Sequence, residues 1–109
     1  MSVIFTDANF DTEVLQADKL TIIDFWATWC PPCIALGHTI DALARDFDGK
    51  ANFGKLNVDE NPKVSVAYSV TNLPVVLFIQ NGEVVERLVG AASKGVYEKK
   101  IKKLLENAA

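Results

Sequence analysis

A chain of 109 residues, half of them hydrophobic, is the size of one domain whose core folds without covalent staples. The net charge of −3, with cations scattered apart from Lys99, Lys100, Lys102 and Lys103, leaves no basic face for a phosphate backbone and excludes nucleic acid as an expected partner. Met1 to Asp7 lack the basic region, apolar run and cleavage site of a signal peptide, and Asp24 interrupts the longest apolar stretch short of a membrane span. The expectation is a single domain over residues 1–109, without a membrane segment and cytoplasmic, although a mature secreted chain would read the same way. In a reducing cytosol, two cysteines point to redox chemistry or metal binding more than to a structural disulfide.

Val3 to Phe5 reads as a short strand. A helix follows from Ala8 to Ala17, with Phe10, Val14 and Ala17 on its apolar face and Thr6 or Asp7 as cap. Leu20 to Ala27 is too continuously apolar for a half-exposed strand and predicts a central strand covered on both faces. After Cys30 a helix runs to Phe47, lined by Leu36, Ile40, Leu43, Ala44 and Phe47 and ended by Asp48-Gly49.

Ala51 to Asp59 returns to strand character. Asn61 then caps a short helix, with Pro62 at its first position, where a missing N–H costs nothing, and the helix ends near Tyr68. Val75 to Ile79 and Glu83 to Val89 form an antiparallel hairpin around Asn81-Gly82, residues that tolerate positive φ. Ser93 caps a last helix with Tyr97, Ile101, Leu104 and Leu105 inward. Its lysine cluster forms a solvated outer face toward the negative end of the helix dipole. The order β-α-β-α-β-α-β-β-α, crossovers first and a hairpin last, requires an α/β architecture with a mixed sheet and helices on both faces.

Cys30-Pro31-Pro32-Cys33 lies between the buried strand and the start of a helix. Unpaired N–H groups and a partial positive charge at a helix N-terminus favour thiolate over thiol. Cys30 takes most of that benefit and is the candidate attacking thiolate. Cys33, one turn into the helix and more buried, is placed to attack Cys30 and release a reduced product. An aspartate within Ile22-Ile23-Asp24-Phe25-Trp26 would be desolvated and its pKa raised toward the range useful for proton transfer. The competing reading puts Asp24 at an edge, merely hydrogen-bonded.

Asp24-Phe25-Trp26-Ala27-Thr28-Trp29-Cys30-Pro31-Pro32-Cys33, Lys55-Leu56-Asn57-Val58-Asp59, Leu73-Pro74, Asn81-Gly82-Glu83 and Val89-Gly90-Ala91 stand in the order of the landmarks of the thioredoxin family, which the chain resembles over residues 3 to 107. The resemblance implies the thioredoxin fold, a central mixed sheet of about five strands flanked by about four helices. It implies a disulfide reductase that binds no cofactor itself, takes electrons from NADPH through a flavin-dependent thioredoxin reductase, and passes them as a monomer to disulfides in other proteins. Asp24 matches the family's proton acceptor for the resolving cysteine, and Lys55 the lysine near it, where a surface lysine fits as well. Pro74 matches a cis proline facing the disulfide. Trp29, Pro32, Leu73, Pro74, Val89 and Gly90 would form the apolar patch on which substrate segments dock, a core strand position being the other reading of Val89.

Three positions depart from the family pattern. Pro31 stands where glycine is usual. It removes an N–H near Cys30, biases Cys30 and Pro31 toward extended backbone, and moves the expected helix start to Pro32, so Pro31 and Pro32 are expected to tune the reduction potential. Ile34 replaces a common lysine. His38 replaces a kink-forming proline and, five residues past Cys33, is expected on a different, solvent-facing side of the helix. Cys30, Cys33 and His38 are too few ligands for structural zinc, so no metal is expected. An oxidase, an isomerase, a dedicated assembly reductase and a non-catalytic binding module are the remaining alternatives.

Overall fold

The computed structural model describes residues 2–107, and residues 1, 108 and 109 of the expected domain lie outside the described residues. β2 (Thr21–Trp26) is buried along nearly its whole length because it is paired on both edges and covered on both faces. β3 (Asn52–Asn57) runs parallel to it on one edge and β4 (Val75–Gln80) antiparallel on the other. β1 (Val3–Ile4) adds to β3 in parallel and β5 (Glu83–Val89) to β4 in antiparallel, giving the order β1-β3-β2-β4-β5. This mixed five-stranded sheet, flanked by helical segments, is the expected thioredoxin fold.

Side chains of a strand alternate between faces, so Ile22 and Asp24 point one way and Ile23 and Phe25 the other. On the first face α1 (Pro31–Asp46) and α3 (Lys94–Asn107) close a core that includes Ile22, Leu36, Ile40, Phe78, Tyr97 and Ile101. On the second, a π-helical turn at Asp11–Leu15 and α2 (Pro62–Ala67) close one around Phe10, Ile23, Phe25, Leu56 and Leu77. Each fully buried large apolar side chain contributes about 1.5–3 kcal/mol. A handful of them therefore offsets the cost of one buried carboxyl among them.

Several local expectations change. The helix foreseen from Ala8 to Ala17 is largely a π-helical turn, closed by the Gln16 N–H on the Asp11 carbonyl at 3.0 Å. Two side-chain bonds accompany that wider turn. The Thr12 hydroxyl donates to the Asn9 carbonyl at 3.2 Å, and the Gln16 amide donates to the Asp11 carboxylate at 3.1 Å. Thr6 closes the turn just ahead of it, in a reciprocal pair where Thr6 Oγ1 accepts the Asn9 N–H and Asn9 Oδ1 accepts the Thr6 N–H, while the π-helical turn itself has no side-chain cap at Phe10. Asp7 instead serves α2, accepting the N–H groups of Lys63 at 3.1 Å and Val64 at 2.9 Å. Asn61 occupies the N-cap position as foreseen, but its side chain accepts the Asp7 N–H at 2.8 Å, so the cap crosses between two segments.

α1 begins at Pro31 rather than Pro32. Cys30 is extended as expected, with φ −112° and ψ 97°, while Pro31 is already helical. Both prolines fall in the first turn, where helical N–H groups have no intrahelical partner to lose. Asn81 and Gly82 take φ of 53° and 78° and make the hairpin turn. In α3 the lysine cluster lies short of the last turn, which holds no basic residue, so the expected benefit from the dipole is absent. Lys100 is drawn from the solvated face to Glu86 of β5, 3.1 Å away. The Ser93 carbonyl, rather than its hydroxyl, receives the Val96 N–H at 3.0 Å.

Asp7→Ala removes both acceptors at the head of α2 and is expected to cost about 1–2 kcal/mol in urea unfolding. A change within a few tenths would mean that α2 is held by packing alone.

Candidate active site

Strand β2 ends at Trp26, and the chain turns through Ala27 into the dithiol motif at the head of α1. Cys30 and Cys33 are joined in a disulfide, with Cα atoms 5.2 Å apart. Ala27 and the two cysteines form a small cluster against which Trp26, Val58 and Leu73 pack. Both cysteines are therefore buried, Cys30 6% exposed and Cys33 1%, so the expected difference between them has the right sign on a small scale.

The head of the helix also offers less than expected. The Cys30 N–H donates to the Ala27 carbonyl at 3.2 Å, Pro31 and Pro32 have none, and the Cys33 and Ile34 N–H groups converge on the Cys30 carbonyl at 3.0 and 3.2 Å. Positive charge from the dipole remains at Cys30, but a set of free N–H donors does not.

Around the disulfide, the Leu73–Pro74 peptide bond is cis and leads directly into β4. The Pro74 carbonyl accepts the Gly90 N–H at 2.8 Å and Val75 pairs with Val89, which ties Val89 and Gly90 to the cis-proline segment. Val89 is 59% exposed, which removes the core reading of that residue. Trp29 is also exposed, its indole N–H donating to Asp59 Oδ2 at 2.8 Å.

Behind the disulfide, a pocket of about 200 Å³ is lined by Asp24, Cys33, Gly37, His38, Asp41 and Lys55, with Trp26 and Ile34 completing it. Asp24 is fully buried and, among the described residues, neither carboxyl oxygen has a hydrogen-bond partner, which removes the edge reading. Desolvation pushes its pKa from 3.8 up to about 7, against the pull of the Lys55 ammonium, while Asp41 adds a further upward push. Lys55 does not bond Asp24. Its ammonium lies 3.1 Å from Asp41, whose other donor is the Ser2 hydroxyl at 2.6 Å. His38 is exposed, on a different side of α1 from the buried Cys33 as expected, and the pocket spans a strip of α1 broad enough to include both.

Asp41, Ser2 and Asp59 were not singled out from the sequence. For Asp41 a signal existed, since Cys33, Gly37 and Asp41 recur at the four-residue spacing of one helix face. Ser2 and Asp59 reach their partners only through tertiary contact.

A helix-capping disulfide with a buried, protonatable carboxyl behind it and an apolar surface around it defines a thiol-disulfide exchange centre. The thioredoxin family profile matches residues 1–103, and the chain belongs to the thioredoxin family. It is 50% identical over 96 residues to a thioredoxin of Chlorobaculum thiosulfatiphilum, an alignment covering 88% of this chain and 89% of the relative. It is 48% identical to thioredoxin 2 of Chlorobaculum tepidum, over 88% of each chain. With the M-type chloroplastic thioredoxin of Pisum sativum it shares 35% identity over 94% of its own length and 59% of the relative. The protein is accordingly a thiol-disulfide oxidoreductase with Cys30 and Cys33 as its redox pair.

Between pH 3.8 and about 7 the folded protein keeps a proton on Asp24 that the unfolded chain has released, so stability falls as pH rises through that window. Asp24→Asn removes this loss. Relative to the parent, the variant is expected to gain up to about 4 kcal/mol on going from about pH 4 to about pH 8 in urea unfolding. A difference independent of pH would contradict an uncharged carboxyl at this position.

Proposed function

We propose that this chain acts as one domain, monomeric and cytoplasmic, to reduce disulfides in other proteins. The observation that carries this reading is the disulfide at the head of α1 sharing a pocket with the unpartnered carboxyl of Asp24. In the reduced protein the Cys30 thiolate attacks one sulfur of a substrate disulfide, forming a Cys30–substrate bond as the other substrate sulfur leaves and takes up a proton. The Cys33 thiol passes its proton to Asp24, whose pKa near neutrality suits both acceptance and release. The Cys33 thiolate then attacks Cys30, closes the internal disulfide and expels the second substrate sulfur. Two electrons have moved from the dithiol to the substrate. Lys55 sets the field at Asp24, and the apolar surface of Trp29, Pro32, Leu73, Pro74, Val89 and Gly90 receives the extended substrate segment.

Reduction of the disulfide by a flavin-dependent thioredoxin reductase, drawing on NADPH, completes the cycle in this reading, with no cofactor held by the chain itself. The Cys-Pro-Pro-Cys sequence sets the potential. Pro31 withholds a donor beside Cys30, which disfavours the thiolate and so favours the disulfide.

Cys33→Ser is expected to accumulate a covalent adduct with a disulfide-bonded protein through Cys30, detected as a band lost on adding a small thiol. Cys30→Ser should give no adduct, and adducts of equal yield in the two variants would overturn the assignment of roles. For the set point, Pro31→Gly and the parent are equilibrated against glutathione. The glycine variant should be more oxidising by up to about 30 mV, the equivalent of one net hydrogen bond, and coincident curves would remove the role given to Pro31.

A further inference from the structure

Two carboxyls flank the Lys55 ammonium in the pocket behind the disulfide, and they are served unequally. Asp41 has both oxygens within 3.1 Å of Lys55 Nζ and accepts the Ser2 hydroxyl on Oδ1. Among the described residues, Asp24 has no donor on either oxygen. A Cβ at Gly37 would stand 3.3 Å from Nζ, so the ammonium would have to give by a few tenths of an ångström, and the glycine leaves it room beside α1. Ser2 precedes β1, which pairs Ile4 with Lys55, so the Asp41 carboxylate is held from the same sheet edge that carries the lysine.

We propose that Asp41 is a positioning residue that keeps the Lys55 ammonium on the outer side of the pocket and so denies Asp24 a hydrogen-bonded counter-charge. An ammonium free to turn inward would find two bare carboxyl oxygens, and bonding them would favour the ionised form of Asp24. Asp41 itself stays ionised. Against the desolvation of its partial burial, the Ser2 hydroxyl and the Lys55 ammonium hold its carboxyl below the usual range. The groups facing Asp24 are Lys55 from β3, Cys33, His38 and Asp41 from α1, and Tyr97 from α3, whose hydroxyl is engaged by the Ala92 N–H at 3.1 Å. From β4 the neighbour opposite Asp24 is the apolar Val76. Among these groups, Lys55 is the cation held in place by a carboxylate other than Asp24.

This inference deepens the reading in which Asp24 accepts the Cys33 proton, but its test involves no cysteine chemistry, so each can fail without the other. The Asp24 side-chain carboxyl carbon is titrated by NMR in the oxidised protein, for the parent, Asp41→Asn, Lys55→Gln and the double variant, with a His38→Gln control for the imidazole's own contribution. Asp41→Asn should lower the Asp24 midpoint by at least about one pH unit, Asp41→Glu should restore it, and in the Lys55→Gln background the Asp41→Asn shift should fall to less than half. An unchanged midpoint overturns the proposal. So does an equal shift in both backgrounds, which would make Asp41 a direct field on Asp24 rather than a restraint on Lys55. Should Asp41→Asn fail to fold, Asp41→Ser carries the same comparison.

Discussion

The burial of one carboxyl on β2 is the constraint around which the rest of the site is arranged. The strand is covered on both faces and paired on both edges, so an ionisable group in its middle is cut off from water unless the structure supplies a partner. None bonds it, and the group stays protonated to near neutrality. Strand alternation aims it at the α1 face, where Cys33 sits one turn into the helix. The Asp24 carboxyl and the Cys33 sulfur are thus brought to one pocket by the pleat of a strand and the pitch of a helix.

Cys30 faces a different environment. It lies where the strand has ended and the helix has just begun, with the cis-proline segment packed beside it through Leu73. The consecutive prolines remove backbone donors at the place where a thiolate would use them and leave the helix dipole as the sequence-independent source of positive charge. In this arrangement Cys30 lies at the helix end and Cys33 lines the pocket of the buried carboxyl. The two halves of the couple can therefore be tuned by separate substitutions.

Much of this was legible because it rests on local patterns. The unbroken apolar run identified β2 as a covered strand, Asn81-Gly82 identified the hairpin, and the position of the cysteines between strand and helix identified their chemistry. Where reading failed, the cause was contact between distant segments. Asp7 looked like a cap for the turn that follows it and instead caps α2, because Asn61 takes the Asp7 N–H and turns its carboxylate there. Lys55 read equally well as a surface residue, since its partner Asp41 lies on another element. Counting residues put His38 on another side of α1 from Cys33, where it lies, but could not show a pocket wide enough to include both.

The division of duties between the cysteines is tested most directly on the reduced protein, by brief alkylation with limiting iodoacetamide followed by peptide mass spectrometry. The expected result is single modification at Cys30 at neutral pH, with Cys33 labelled only after the protein is unfolded. Equal labelling of the two, or labelling of Cys33 first, would contradict an arrangement in which the helix end activates one sulfur and burial beside Asp24 reserves the other.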